Sequence, residues 1–382
     1  MAKSPLTELG ALKQRSSSKW RRFAPDVLPM HVAEMDYDIA DNIKELLLQK
    51  ISASDIGYTG PVPEVAEGFV KFAKHRWGWQ VDPKQVRLST DVGVSAVEIL
   101  RAVGNRGDRV VINSPVYSSF FDWIPEVGFE IVDVPLVEAS KTWELDLAGL
   151  EEAFKAGAKF YLICHPQNPL GKLFTEAELI AIAGLAKKHD VLVISDEIHA
   201  PLTYADQKFV PYLSVSEAAR ETGVCITAAS KSFNLAGLKA SIIVTDSAAV
   251  VAKLSKLPAA LHWRSGILGA FAMGEAFANS EQWLDDVIEL NRKSRDLLTE
   301  LLAKHVPTVK YWIPESGYLA WLDVSALNIG ENPAAKILEE QRVAFVPGVD
   351  LGKQYGNFVR INFACHPESL ERAVLALAAY NK

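Results

Sequence analysis

Between residues 86 and 244, short apolar runs alternate with helical patterns, and that rhythm leaves few folds open. Strand candidates fall at 86–89, 109–113, 129–134, 159–164, 191–195, 224–227 and 241–244. Helical patterns lie between most of them: through about Val103, after Tyr117, and near 146–156 and 175–188. The last of these opens on Thr175-Glu176-Ala177-Glu178, a capping box. Strands and helices in this alternation predict an α/β fold, a mainly parallel sheet covered on both faces. In such sheets the site sits at the C-terminal ends of the strands.

The flanks read differently. Residues 1–30 are polar, basic and weakly periodic, so an arm or short helix is expected. The segment Leu28-Pro29-Met30-His31-Val32-Ala33-Glu34-Met35-Asp36-Tyr37 has neither helix nor strand period and leads into a helix around 41–52. Ile56-Gly57-Tyr58-Thr59-Gly60-Pro61 is turn chemistry, with a helix from about Pro63 to Arg76. After about residue 255 come long helical patterns, 265–279 and 281–304. Short strands near 309–312, 318–323, 343–346 and 357–363 and a final helix follow. That texture predicts a separate, smaller α+β lobe. The expected division is an N-terminal segment, 1–45, associated with the small domain, a large domain, 46–264, and the small domain, 265–382.

Composition narrows the function classes. A chain of 382 residues, 49% hydrophobic and 23% charged, has ample core for a soluble globular protein. Its net charge of −7 argues against nucleic acid or an anionic membrane as the main partner. Three cysteines, Cys164, Cys225 and Cys365, each in or at the end of an apolar run, read as reduced thiols and predict a cytoplasmic protein. No apolar run is long enough for a membrane span, and no signal-peptide core is visible. The histidines lack metal-ligand spacing, so no metal site is expected. No Walker loop, dinucleotide fingerprint or serine-nucleophile elbow occurs.

Chemistry-bearing residues collect at the strand ends. Val92-Gly93-Val94 opens a helix after a strand, where amides and the helix dipole can hold a phosphate. Tyr117 follows a proline turn and can lie flat on a heterocycle. His165-Pro166-Gln167-Asn168-Pro169-Leu170-Gly171 fixes the Asn168 amide in a rigid turn. Ser195-Asp196-Glu197-Ile198-His199 places a carboxylate, and Ser230-Lys231 a lysine, just past two further strands. Each has a plainer reading: Asp196 as a helix cap, Asn168 as turn chemistry, His199 as a semi-buried histidine, Lys231 as a surface lysine. Together they make an anion cradle, a ring stacker, an amide, a carboxylate and an amine at one sheet edge.

Asn168-Pro169-Leu170-Gly171, Ser195-Asp196-Glu197 and Ser230-Lys231 with Gly237 and Lys239, in this order, resemble the fold type I, aminotransferase-like enzymes that use pyridoxal 5′-phosphate. The resemblance runs from about residue 28 to 375. It implies that Lys231 forms the Schiff base, Asp196 pairs with the pyridinium nitrogen, Asn168 donates to the ring 3-oxygen and Tyr117 stacks on the ring. Val92, Gly93, Val94, Ser230 and Lys239 would bind the phosphate, and His199 would border the cofactor where ordinary aminotransferases carry a tyrosine. Tyr58 would reach the phosphate of a neighbouring subunit and assist in proton donation, which implies a homodimer. Arg360, in Phe358-Val359-Arg360-Ile361-Asn362-Phe363, would clamp the substrate α-carboxylate, with Ala33 and Asn168 beside it.

Within that superfamily the segments Pro29–Tyr37, Gly57-Tyr58-Thr59, Pro115–Phe121 and Ser195–His199 look most like the bacterial cystathionine β-lyases and cysteine-S-conjugate β-lyases. His31, Glu34 and Tyr37 depart from the branch's usual Trp-Val-Ala-Asp-Met-Asp-Phe. Ala228 and Lys239 replace the serine and arginine that many aminotransferases use for the phosphate. The resemblance implies β-elimination at a cysteine thioether, with L-cystathionine favoured, in methionine-linked amino-acid metabolism. Two rivals stay open: an aminotransferase using the same Lys231 and Asp196, and a cofactor-bound protein that restrains a transcription regulator.

Overall fold

The structure is a computed structural model and describes residues 5–381. A seven-stranded sheet runs in the order Val86–Ser89, Ser241–Val244, Gly223–Thr227, Leu192–Asp196, Phe160–Cys164, Arg109–Ile112, Glu130–Asp133. Ser241–Val244 is antiparallel to both neighbours, and every other pairing is parallel. The three central strands are buried along their whole length, as strands covered on both faces must be. The α/β fold expected from the alternation is therefore what forms. Register aligns the central strand ends: Asp196 pairs with Cys164 on one side and Ile226 on the other.

Local chemistry sets the helix boundaries. Asp91 caps Val92–Val103, Asp146 caps Leu147–Lys155, and Thr175 with Glu178 closes the capping box of Glu176–His189. Pro63–Trp77 starts on proline and stops at Gly78 in the left-handed conformation. Gly171 ends the turn after the Phe160–Cys164 strand at φ 63°, and a Cβ there would sit 2.4 Å from Pro314 Cβ and 2.5 Å from the Ser316 oxygen. Gly171→Ala is expected to destabilise the protein by about 3 kcal/mol, read as a lowered thermal midpoint.

The second sheet is antiparallel, in the order Lys310–Tyr311, Leu319–Asp323, Phe358–Asn362, Val346–Pro347. The helices Glu281–His305, Pro333–Gln341 and Pro367–Ala378 accompany it. The strand expected near 343–346 is in fact two. Val343–Ala344 pairs in parallel with Leu28–Pro29, while Val346–Pro347 joins the four-stranded sheet. One apolar run cannot reveal that the chain changes partners between Ala344 and Val346. Leu28–Pro29 ties the N-terminal arm, with its short helices Leu9–Leu12 and Ser18–Arg21, to this part of the molecule. The hairpin Val137–Glu138 with Trp143–Glu144 was not expected, because two-residue strands are too short to show alternation. Trp143 packs edge-on against Trp312 and Tyr355, which brings this hairpin to the second sheet.

Candidate active site

A cavity of about 580 Å³ opens at the C-terminal ends of the parallel strands. Val92, Gly93, Val94, Tyr117, Asn168, Asp196, His199, Ser230, Lys231, Lys239 and Ala33 all line it. Most of these residues meet because they end or follow parallel strands whose C-terminal ends lie at one edge. Lys239 comes in just before the antiparallel Ser241–Val244, and Ala33 from the irregular segment after Leu28–Pro29.

Lys231 is half-buried, and its Nζ donates to the Ala33 carbonyl at 3.0 Å. Burial, then Arg360, pushes its pKa down to about 8 against the pull of Asp196. Asp196, 3% exposed, accepts from the Ile198 N–H at 3.1 Å. Burial raises its carboxyl to about 7, opposed by that hydrogen bond and by Lys231. His199 is buried edge-on to Tyr318, and desolvation with the nearby Lys231 and Arg360 lowers its ring to about 3, so it stays neutral.

Asn168 Oδ1 accepts from Arg360 Nη1 at 3.2 Å. This fixes which way the amide faces: its oxygen is turned to arginine, leaving Nδ2 as the donor. Arg360 itself does not line the cavity. It lies 5% exposed behind Asn168, with Nη2 donating to the His31 carbonyl at 2.9 Å and Nε without a partner. Tyr117 is half-buried and edge-on to Trp123 at 5.7 Å and Phe120 at 6.3 Å.

At the helix start, Asp91 Oδ1 accepts the Val94 N–H at 2.8 Å while Oδ2 pairs with Lys239 Nζ at 3.3 Å. The Val94 amide is thus already capped, and the amides of Val92 and Gly93 remain without a protein partner. Gly93 has its own reason to be glycine, since a Cβ would come 2.6 Å from the Trp123 ring. Tyr58 is not brought into the cavity of its own chain. It is 94% exposed on a turn whose Thr59 Oγ1 donates to the Ser265 carbonyl at 2.6 Å, next to Arg264 at the cavity wall.

Sequence reasoning missed Asp91, Trp123, Cys164 and Arg264 in the lining. Asp91 was legible as an N-cap before a helix. The others carry no local signal, because a side chain becomes a wall residue only through packing. Among the described residues no helix is long and apolar enough to cross a membrane, and no His/Cys/Asp/Glu group could hold a metal.

Residues 25–377 match the family of class I and II aminotransferases. The chain belongs to that family. It is 32% identical over 372 residues to the cystathionine beta-lyase of Corynebacterium glutamicum, covering 97% of this chain and 98% of that one. To cystathionine beta-lyase PatB of Bacillus subtilis it is 31% identical over 361 residues, 93% and 92% of the two chains. Among solved structures it superposes on cystalysin from Treponema denticola with a TM-score of 0.92 at 25% identity, covering 98% of each chain. The cystalysin crystal structure contains a pyridoxal 5′-phosphate cofactor.

The donor set here fits that cofactor. Two uncapped helix amides and the Lys239 cation suit a phosphate, and a buried carboxyl holding one protein hydrogen bond suits a protonated ring nitrogen. An amine whose pKa is lowered by burial suits an aldehyde.

Proposed function

We propose that the chain binds pyridoxal 5′-phosphate through Lys231 and acts as a C–S β-lyase. It eliminates the thiol of L-cystathionine or a related cysteine thioether to give homocysteine or the corresponding thiol, pyruvate and ammonia, with one water consumed. The observation that carries the reading is the half-buried Lys231 amine, placed against Ala33 beside the buried Asp196 in one cavity. The near-full-length relatives named cystathionine beta-lyase support elimination over transamination.

When bound, the cofactor supplies an electron sink for charge developing at the substrate Cα. The protein supplies the rest. Arg360, behind Asn168, would pair with the substrate α-carboxylate once its hold on His31 is exchanged. Asn168 Nδ2 and the Asp196 carboxylate would hold the ring by its oxygen and nitrogen, and Tyr117 would pack on its face. Val92, Gly93, Ser230 and Lys239 would take the phosphate, with Val94 contributing through the cap at Asp91. His199, neutral, walls the site without adding charge. The Lys231 amine would take the Cα proton and return a proton to the departing sulfur.

We place the protein in the cytoplasm, in amino-acid metabolism leading to methionine, as a homodimer. Its three free cysteines are buried thiols, in keeping with a reducing compartment. Tyr58, exposed beside Ile56 at 55%, suits a contact across a subunit interface, where it would reach the partner site's phosphate. Tyr58→Phe is expected to raise the dissociation constant for pyridoxal phosphate about 10-fold, one charge-assisted hydrogen bond, as measured by fluorescence titration.

The deciding assay gives purified holoprotein L-cystathionine without any 2-oxo acid. Equimolar pyruvate and free thiol are expected. Absence of pyruvate from cystathionine and from other cysteine thioethers overturns the lyase reading, and turnover that requires a 2-oxo acid replaces it with transamination.

A further inference from the structure

Residues 31–36 form neither helix nor strand, yet nearly every carbonyl there is occupied by a side chain from a distant part of the chain. Arg360 takes His31, and Asn362 Nδ2 takes Val32 at 2.8 Å and Glu34 at 2.7 Å. Tyr318 OH and Lys231 Nζ share the Ala33 oxygen at 3.1 and 3.0 Å. Asn234, three residues past Lys231, donates to Met35 and Tyr37 at 3.0 Å each and accepts from the Met35 N–H at 3.1 Å. The second sheet and the lysine loop thus hold the segment from two sides.

The N-terminal arm holds it from a third. Lys19 Nζ donates to the Glu34 carbonyl at 3.0 Å and pairs with Asp36 Oδ1 at 2.6 Å. Both side chains are almost wholly out of water, 1% and 3% exposed. Arg15 Nη2 reaches the Tyr37 carbonyl at 3.1 Å, and Ser17 Oγ the Glu34 carboxylate at 2.7 Å. A lysine is buried this deeply only where its charge is matched and its donors are used. Replacing such a pair by apolar groups often leaves stability unchanged, so a pair that is kept has something to position.

We propose that Lys19 is a positioning residue for Lys231. By gripping Glu34 and Asp36 from the arm, it fixes the Ala33 carbonyl between them and Val32, and the amine takes its place from that carbonyl. The inference rests on Lys231 being the amine that carries the cofactor. From the lysine loop Asn234 grips Met35 and Tyr37 on the same side of Ala33 as Lys19, while Arg360 and Asn362 hold His31 and Val32 on the other side. Ala33 cannot drift without breaking one of these contacts.

The test uses the full chain, stripped of cofactor and mixed with pyridoxal phosphate. The Lys231 amine adds to the aldehyde carbon with loss of water, and borohydride then reduces the C=N bond for mapping by mass spectrometry. In Lys19→Met/Asp36→Leu, which removes both charges at similar volume, the adduct at Lys231 is expected to form about 10-fold more slowly while the melting temperature stays near that of the parent. Lys19→Arg, which keeps a cation, is expected to stay within about 3-fold of the parent. Adduct formation at the parent rate in the double variant overturns the proposal, and so does slowing that only tracks the unfolded fraction. Should the double variant not fold, Lys19→Gln keeps a donor for Glu34 but loses the ion pair, and it is read by the same two outcomes. Absence of any adduct at Lys231 in the parent overturns the functional reading instead, which separates the two failures.

Discussion

Lys231→Ala is expected to lower turnover of L-cystathionine by on the order of 10⁴-fold and to remove the borohydride-trapped pyridoxal adduct from the protein. Under the proposed function two roles would vanish with one side chain: the covalent anchor and the base at Cα. The fold should persist, because the amine makes a single hydrogen bond, to Ala33, and without it burial favours the neutral form of the Asp196 carboxyl. A small primary amine added to the variant should restore part of the rate, since it supplies the missing base in the space vacated. Steady-state kinetics and the trapped adduct check this, and an adduct that survives would place the anchor elsewhere. The lowered pKa makes a second, linked expectation. Because the Lys231 amine sits near pKa 8, the neutral, nucleophilic form prevails above that pH. In the cofactor-free protein the adduct-forming rate should therefore rise through about pH 8, well below the ~10.4 of an exposed lysine.

Asp196→Asn is expected to cut kcat by about 10²- to 10³-fold with pyridoxal phosphate still bound. The amide matches the carboxyl in shape and can keep the hydrogen bond from the Ile198 N–H, so stability should change little. What it lacks is charge. A carboxylate beside the ring nitrogen favours the protonated ring, the form that best accepts electrons from Cα. Alone in the protein, burial raises Asp196 to about 7, and a cationic ring beside it would lower that value and keep the carboxylate ionised. The measurement is kcat together with cofactor content and thermal midpoint; an unchanged kcat at full occupancy would take the ring nitrogen away from Asp196.

Much of the large sheet was legible because its signals are local. The runs at 86–89 and 241–244 coincide with the strands observed, that at 159–164 starts one residue early, and that at 191–195 is displaced by one residue at both ends. Asn168, Asp196 and Lys231 could be singled out together for the same reason: each ends or closely follows a strand, and parallel strands bring their C-terminal ends to one edge. Arg360 entered only through resemblance, since nothing in Phe358–Asn362 distinguishes its burial behind Asn168 from that of any other strand residue of the second sheet. Lys19 and Asp36 gave no signal at all. A lysine in a basic arm looks solvated, and its partner is seventeen residues away on a segment without period.

The sequence alone determined most strands and helices of the large sheet, which strand ends carry chemistry and, through motif order, which superfamily the chain resembles. These follow from side-chain periodicity, capping and turn chemistry, all of which act within a few residues. Only the tertiary structure decided that Ala33 meets Lys231 and Tyr318, that Arg360 turns the Asn168 amide, and that Lys19 is buried against Asp36. An irregular segment cannot satisfy its carbonyls from within. It must take donors from wherever packing delivers them, and no local pattern records where that is.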